Sequence, residues 1–99
     1  MLSRRSRPRL PAGIAEVYWA KHAAEDREYW RRHSRRVFMK IERLVNDIKR
    51  DPFHGLGKPE PLRHELAGYW SRRITGEHRL VYRVEGAVLY IAQCRSHYK

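Results

Sequence analysis

Glu60, Arg73, Arg79 and His97 are a carboxylate, two guanidiniums and an imidazole spread over 38 residues of chain. Together they match the needs of RNA cleavage without a metal. In that reaction the ribose 2′-OH attacks the adjacent phosphorus, so a site needs a base for the hydroxyl, cations for the phosphoryl charge and an acid for the departing 5′-oxygen. Only RNA carries the 2′-OH, and an unpaired strand can be splayed against an aromatic ring such as Tyr98. Each group also has a plainer reading. Glu60 stands between Pro59 and Pro61, where a carboxylate is usually just a solvated turn residue. Arg73 and Arg79, side by side on strands joined by a tight turn, serve equally in so basic a protein as solvated charges or as phosphate binders. His97 and Tyr98 lie near the end of the chain, where fraying is the default.

Other chemistries find no matching pattern. His64-Glu65 begins like a zinc-protease helix, but Gly68 stands where the second histidine is needed. Gly55-Leu56-Gly57-Lys58 is too short for a phosphate-binding loop and precedes no helix with a hydroxyl. Cys94 is the single cysteine, which rules out a disulfide framework and paired-cysteine zinc spacings; it reads as a buried strand residue rather than a nucleophile. The expected metal and cofactor content is therefore none.

The elements that must position these groups follow from the hydrophobic pattern. Residues 1 to 15 combine Arg4, Arg5, Arg7 and Arg9 with Pro8, Pro11 and Gly13, without periodicity, and read as a flexible basic arm. Residues 16 to 99 form the single domain. Val17-Tyr18-Trp19 fits a brief strand. A weakly amphipathic helix is expected from Ala20 to about His33, with Ala23, Arg27 and Trp30 at helical spacing. Ser34 then offers an N-cap to a second helix, whose Val37, Ile41, Leu44, Val45 and Ile48 form one buried stripe. Asp51-Pro52 ends it, and Pro52, Gly55, Gly57, Pro59 and Pro61 predict a loop of about ten residues.

Beyond Leu62 the pattern turns to strands: Tyr69 to Ile74, His78 to Val84 and Val88 to Arg95, joined by two short turns. The predicted fold class is α+β, in the order β-α-α-β-β-β. Two N-terminal helices pack on one small, twisted, mainly antiparallel sheet. Alternation gives Leu80, Tyr82 and Val84 to the core face, and Arg79, Val81 and Arg83 to solvent or ligand. Trp70 reads as a packing aromatic.

Charge identifies the kind of partner. Twenty-two Lys and Arg against eleven Asp and Glu give a net +11 over 99 residues. Setting aside the four arginines of the arm leaves +7 on residues 16 to 99, so the excess belongs to the fold. An anionic partner is expected, nucleic acid or an acidic protein. No run reaches the ~18 apolar residues of a membrane span. Pro11, Gly13 and Glu16 interrupt any export signal, so the expected location is a reducing cytoplasm without membrane contact.

The segment from Gly57 to Ile74, GKPEPLRHELAGYWSRRI, then Glu77 to Tyr82, EHRLVY, and the ending Cys94-Arg95-Ser96-His97-Tyr98 together resemble the YoeB/Txe toxins of the RelE superfamily. The likeness runs from Glu16 to Tyr98. It implies a RelE-like fold and a ribosome-dependent mRNA interferase that cleaves the codon in the A site and stops translation. On the matching positions, Glu60 becomes the general base, Arg79 the transition-state cation and His97 the general acid. Tyr98 positions the substrate, and Arg73, Arg63 and Lys58 bind RNA. The resemblance further implies a YefM-like antitoxin with an acidic segment, the 70S ribosome and mRNA as partners, operator DNA bound only through the antitoxin, and a homodimer. Arg63-His64 replaces the usual Lys-His step, Lys99 follows the tyrosine that usually ends such chains, and the basic arm is extra. Two other readings stay open at this point: a non-catalytic ribosome- or RNA-binding translation blocker, and an antitoxin-binding corepressor.

Overall fold

A computed structural model describes residues 13–96. His97 and Tyr98, and the first twelve residues of the expected arm, lie outside the described residues. Strand β1 (Glu16–Trp19) leads into helix α1 (Lys21–His33) and helix α2 (Arg35–Arg50). Strands β2 (Glu60–Pro61), β3 (Trp70–Arg73), β4 (Arg79–Glu85) and β5 (Val88–Gln93) follow, with a 3₁₀ turn at His64–Leu66 between β2 and β3.

Ser34 separates the helices and serves both. Its N–H bonds the Trp30 carbonyl at 2.8 Å, closing α1, and its Oγ accepts from the Val37 N–H at 3.2 Å, capping α2. Along α2, Ile41, Leu44, Val45 and Ile48 are buried and Val37 partly so, the stripe that the spacing predicts. Helix α1 buries one charged side chain. Its buried residues are Ala23, Asp26 and Trp30. Arg27 instead bonds Glu42 of α2 at 2.8 Å, and its guanidinium lies 4.7 Å from the centre of the Trp19 ring. A carboxylate takes the buried position because it has a backbone N–H to accept, that of Cys94 at 3.0 Å.

The sheet order is β1-β5-β4-β3-β2. β1 runs parallel to β5, and the other pairs are antiparallel, so the sheet is mixed but mainly antiparallel. Ile41, Leu44 and Ile48 of α2 and Ala23 and Trp30 of α1 share one core with Leu80, Tyr82, Leu89 and Ile91. Both helices therefore cover the same face of the sheet, and each fully buried aliphatic side chain contributes about 1.5–3 kcal/mol there. Val84 and Trp70 pack against its edge. Among the described residues no helix covers the other, open face.

Two features lie beyond the pattern of the sequence. Glu60-Pro61, read as the end of a loop, pairs as a fifth strand with Ser71 and Trp70. Arg72 is buried completely, on the core face opposite Leu80.

Candidate active site

The open face of the sheet collects the expected groups through its register. Directly paired residues project to the same side of a sheet. Glu60 is paired with Ser71, Ser71 with Val81, and Arg73 with Arg79. Two-residue periodicity then places Glu60, Ser71, Arg73 and Arg79 on one face. The Arg79 side chain spans the cluster: Nε donates to Ser71 Oγ at 3.1 Å, and Nη2 stands 3.8 Å from Glu60 Oε1. Glu60 remains well exposed and Arg79 partly so. A pair this open adds little to stability. Its effect is to set a carboxylate and a guanidinium around one point in space. Arg73 is exposed beside Arg79, as adjoining strands predicted.

Ser71 was not legible as a site residue from its type alone. Period-two alternation with Arg73 was the available signal, since it places Ser71 on the face of the arginines.

The loop before Glu60 is fixed from below. Arg72 donates to five acceptors: the Tyr82 hydroxyl, Asp47 Oδ2 and the carbonyls of Asp51, His54 and Leu56. Asp47 also accepts the Leu56 N–H at 2.8 Å, and Tyr82 donates to the Pro52 carbonyl at 2.6 Å. Burial pushes the Asp47 carboxyl upward, but the Leu56 N–H and the guanidiniums of Arg72 and Arg50 outweigh it and hold the group below its ordinary value. Burial raises the Tyr82 hydroxyl. Gly57 completes the attachment. At φ +78° its carbonyl accepts the Arg73 N–H at 2.7 Å, and a Cβ there would meet the β3 backbone at 3.0 Å. The loop thus lies against β3 immediately before Lys58, Pro59 and Glu60.

The chain beyond β5 is led to the same place. Trp30 Nε1 donates to the Cys94 carbonyl at 2.9 Å, while Asp26 accepts the Cys94 N–H. His78 Nδ1 accepts the Ser96 N–H at 3.1 Å, and Ser96 Oγ accepts the Arg79 N–H at 3.2 Å. A one-residue register shift between Val81 and Tyr82 makes Ala92 an extra residue of β5 just before this turn. Cys94 is buried, and burial, then the nearby Asp26 charge, push its thiol up to about 12. A thiol so placed is structural.

Lys58 and Arg63 are exposed on either side of Glu60 in sequence; among the described residues neither bonds the Glu60, Ser71 and Arg79 group. Among those residues no three His, Cys, Asp or Glu side chains come together to hold a metal ion. Nor is any helix long and apolar enough to cross a membrane.

The model of the YoeB-like toxin of bacterial type II toxin-antitoxin systems matches residues 19–98, a span that contains this whole cluster. The chain belongs to the YoeB toxin family. Toxin YoeB of Escherichia coli K12 is 51% identical over 83 residues, covering 84% of this chain and 99% of its own. A YoeB/ParE toxin from Agrobacterium tumefaciens, 51% identical, superposes with a TM-score of 0.82 over 85% of this chain and all of its own. YoeB of Staphylococcus aureus, 40% identical, has been solved as a dimer, with a TM-score of 0.78 over 84% of this chain and 97% of its own. A Staphylococcus aureus chain from a heterotetrameric YoeB-YefM toxin-antitoxin complex, also 40% identical, gives a TM-score of 0.80 over 86% of this chain and 98% of its own. The matched span holds both helices and strands β2 to β5, and the RelE-like fold class read from the sequence holds.

Proposed function

We propose that this YoeB-family toxin is a ribosome-dependent endoribonuclease that cleaves mRNA in the A site without a metal ion. The observation that carries this reading is the meeting of Glu60 and Arg79 on the open sheet face, with Arg73 alongside. Glu60 takes the proton of the ribose 2′-OH, whose oxygen attacks the neighbouring phosphorus. Arg79, oriented by Ser71, and Arg73 neutralise the charge that builds on the phosphoryl oxygens. His97 gives a proton to the 5′-oxygen as its bond to phosphorus breaks, leaving a 2′,3′-cyclic phosphate and a 5′-hydroxyl. His97 follows Ser96 in the sequence, and Ser96 Oγ accepts the Arg79 N–H. Tyr98 positions the substrate, and Lys58 and Arg63 hold the strand on either side of Glu60.

The family supports the partners. A YefM-like antitoxin with an acidic segment suits a net +11 toxin, and it neutralises the activity by wrapping the toxin and displacing its catalytic end. Operator DNA is contacted through the antitoxin, the toxin acts as a homodimer, and its place is the cytoplasm.

The experiment is translation of a defined message by purified ribosomes with wild type and His97→Gln, mapping RNA ends to the nucleotide. Single cuts within the A-site codon by wild type alone are expected, and ribosome-free cleavage assayed with EDTA tests the metal-free chemistry. Stalled ribosomes carrying intact message would replace this reading by that of a non-catalytic blocker.

A further inference from the structure

The open face carries a second set of side chains that the cleavage chemistry does not use. Tyr18 of β1 is paired with Tyr90 of β5, and Tyr90 with Arg83 of β4. Tyr69 stands one residue before β3, where the Trp70 and Tyr82 pairing continues toward Arg83. The four form a row across the sheet. Tyr18 and Tyr90 meet edge to face with ring centres 5.5 Å apart, and the Arg83 guanidinium lies 4.3 Å from the centre of Tyr90 and 5.7 Å from that of Tyr69. They line a shallow cavity of ≈ 200 Å³ with Ala20 and Ala92. Tyr18 is 55% exposed, although Val17 and Trp19 beside it pack into the core.

Rows of paired residues order this face. Arg73 and Arg79 form its basic end, and Glu60, Ser71 and Val81 come next. The row of tyrosines and Arg83 follows, and Glu85, Val88 and Glu16 close the far end. Arg79 and Arg83 are four residues apart on one strand, ~13 Å, which is the length of about four stacked bases.

We propose that Tyr18, Tyr90, Arg83 and Tyr69 form a stacking subsite for unpaired bases of the RNA strand that crosses the Glu60 and Arg79 site. This rests on RNA being the substrate. Rings and a guanidinium plane on an open sheet are sequence-tolerant platforms for bases, and the cations beside them attract the backbone. Arg83 also pairs with Glu85, which holds its plane over Tyr90. A second copy is the weaker occupant on charge grounds: face-to-face docking brings Arg83, Arg73 and Arg79 of two net +11 chains together.

The test uses the full chain and a fluorescein-labelled oligoribonucleotide of about ten nucleotides with 2′-O-methyl riboses, which cannot be cut, with affinity read by anisotropy. Tyr18→Ala and Tyr90→Ala are each expected to weaken binding about 5- to 150-fold, while Tyr90→Phe stays within about 2-fold of wild type. Tyr18 is exposed enough for its variant to fold. Cleavage measured on the same preparations separates this inference from the function above: tyrosine-dependent binding by a wild type that does not cut sustains the subsite and removes the nuclease. Cleavage by wild type with wild-type affinity in both alanine variants overturns the subsite, as does a dimer that Tyr90→Ala splits without changing RNA affinity.

Discussion

Arg72 Nη1 and Asp47 Oδ2 lie 2.7 Å apart, joining β3 to α2 across 25 residues of chain. That pair holds up the loop that ends at Glu60. Removing either partner leaves a buried charge unanswered and frees loop carbonyls. Arg72→Met and Asp47→Asn are each expected to lower stability by about 3–5 kcal/mol, read as a drop of at least ~10 °C in the thermal midpoint. Arg72→Lys, with one ammonium for five acceptors, is expected to recover only part of the loss.

The same pair fixes a pH dependence. A carboxyl whose value is depressed by folding contributes in full above its unfolded value and loses that contribution as pH falls through the folded one. Asp47 is depressed. Its contribution is therefore expected to be intact at neutral pH and to disappear only in acid below the ordinary carboxylate value of 3.8. Urea midpoints of wild type and Asp47→Asn should differ at pH 7 and converge at the acid end; curves that stay parallel throughout would contradict this.

Glu60→Gln and Arg79→Ala each remove a group proposed to act on the reacting atoms. Cleavage is expected to fall by ~10²-fold or more, with ribosome binding and thermal midpoint close to wild type. Parallel losses of binding and cleavage would instead make these residues anchors.

Ser96→Ala removes the hydroxyl that accepts the Arg79 N–H, and His78→Leu removes the acceptor of the Ser96 N–H. Both are expected to slow cleavage about 10-fold while leaving RNA affinity unchanged, because the loss falls on placement. His78→Asn, which keeps an acceptor near the same place, is expected to regain part of the rate. A change confined to affinity would sink the positioning role.

Much of this molecule was legible in its residues. The stripe of α2, the cap at Ser34, the strand alternation and the neighbouring of Arg73 and Arg79 follow from periodicity and turn chemistry, which are local. What escaped was long-range. Glu60-Pro61 has no strand signal of its own and becomes a strand because Ser71 and Trp70 offer an edge. Arg72 and Arg73 are alike in sequence, and only the register sends one into the core and the other to the open face. Asp26, a carboxylate that no local pattern marks for burial, is buried where it accepts the Cys94 N–H, 68 residues away.

The place of β5 has a consequence for the life of the chain. The last of the five strands in sequence lies between β1 and β4, so the sheet stays split until residue 93 has been made. Every shorter fragment lacks both the joining strand and the histidine four positions beyond it. An interrupted message therefore yields only pieces whose sheet is not joined, left for proteases to remove.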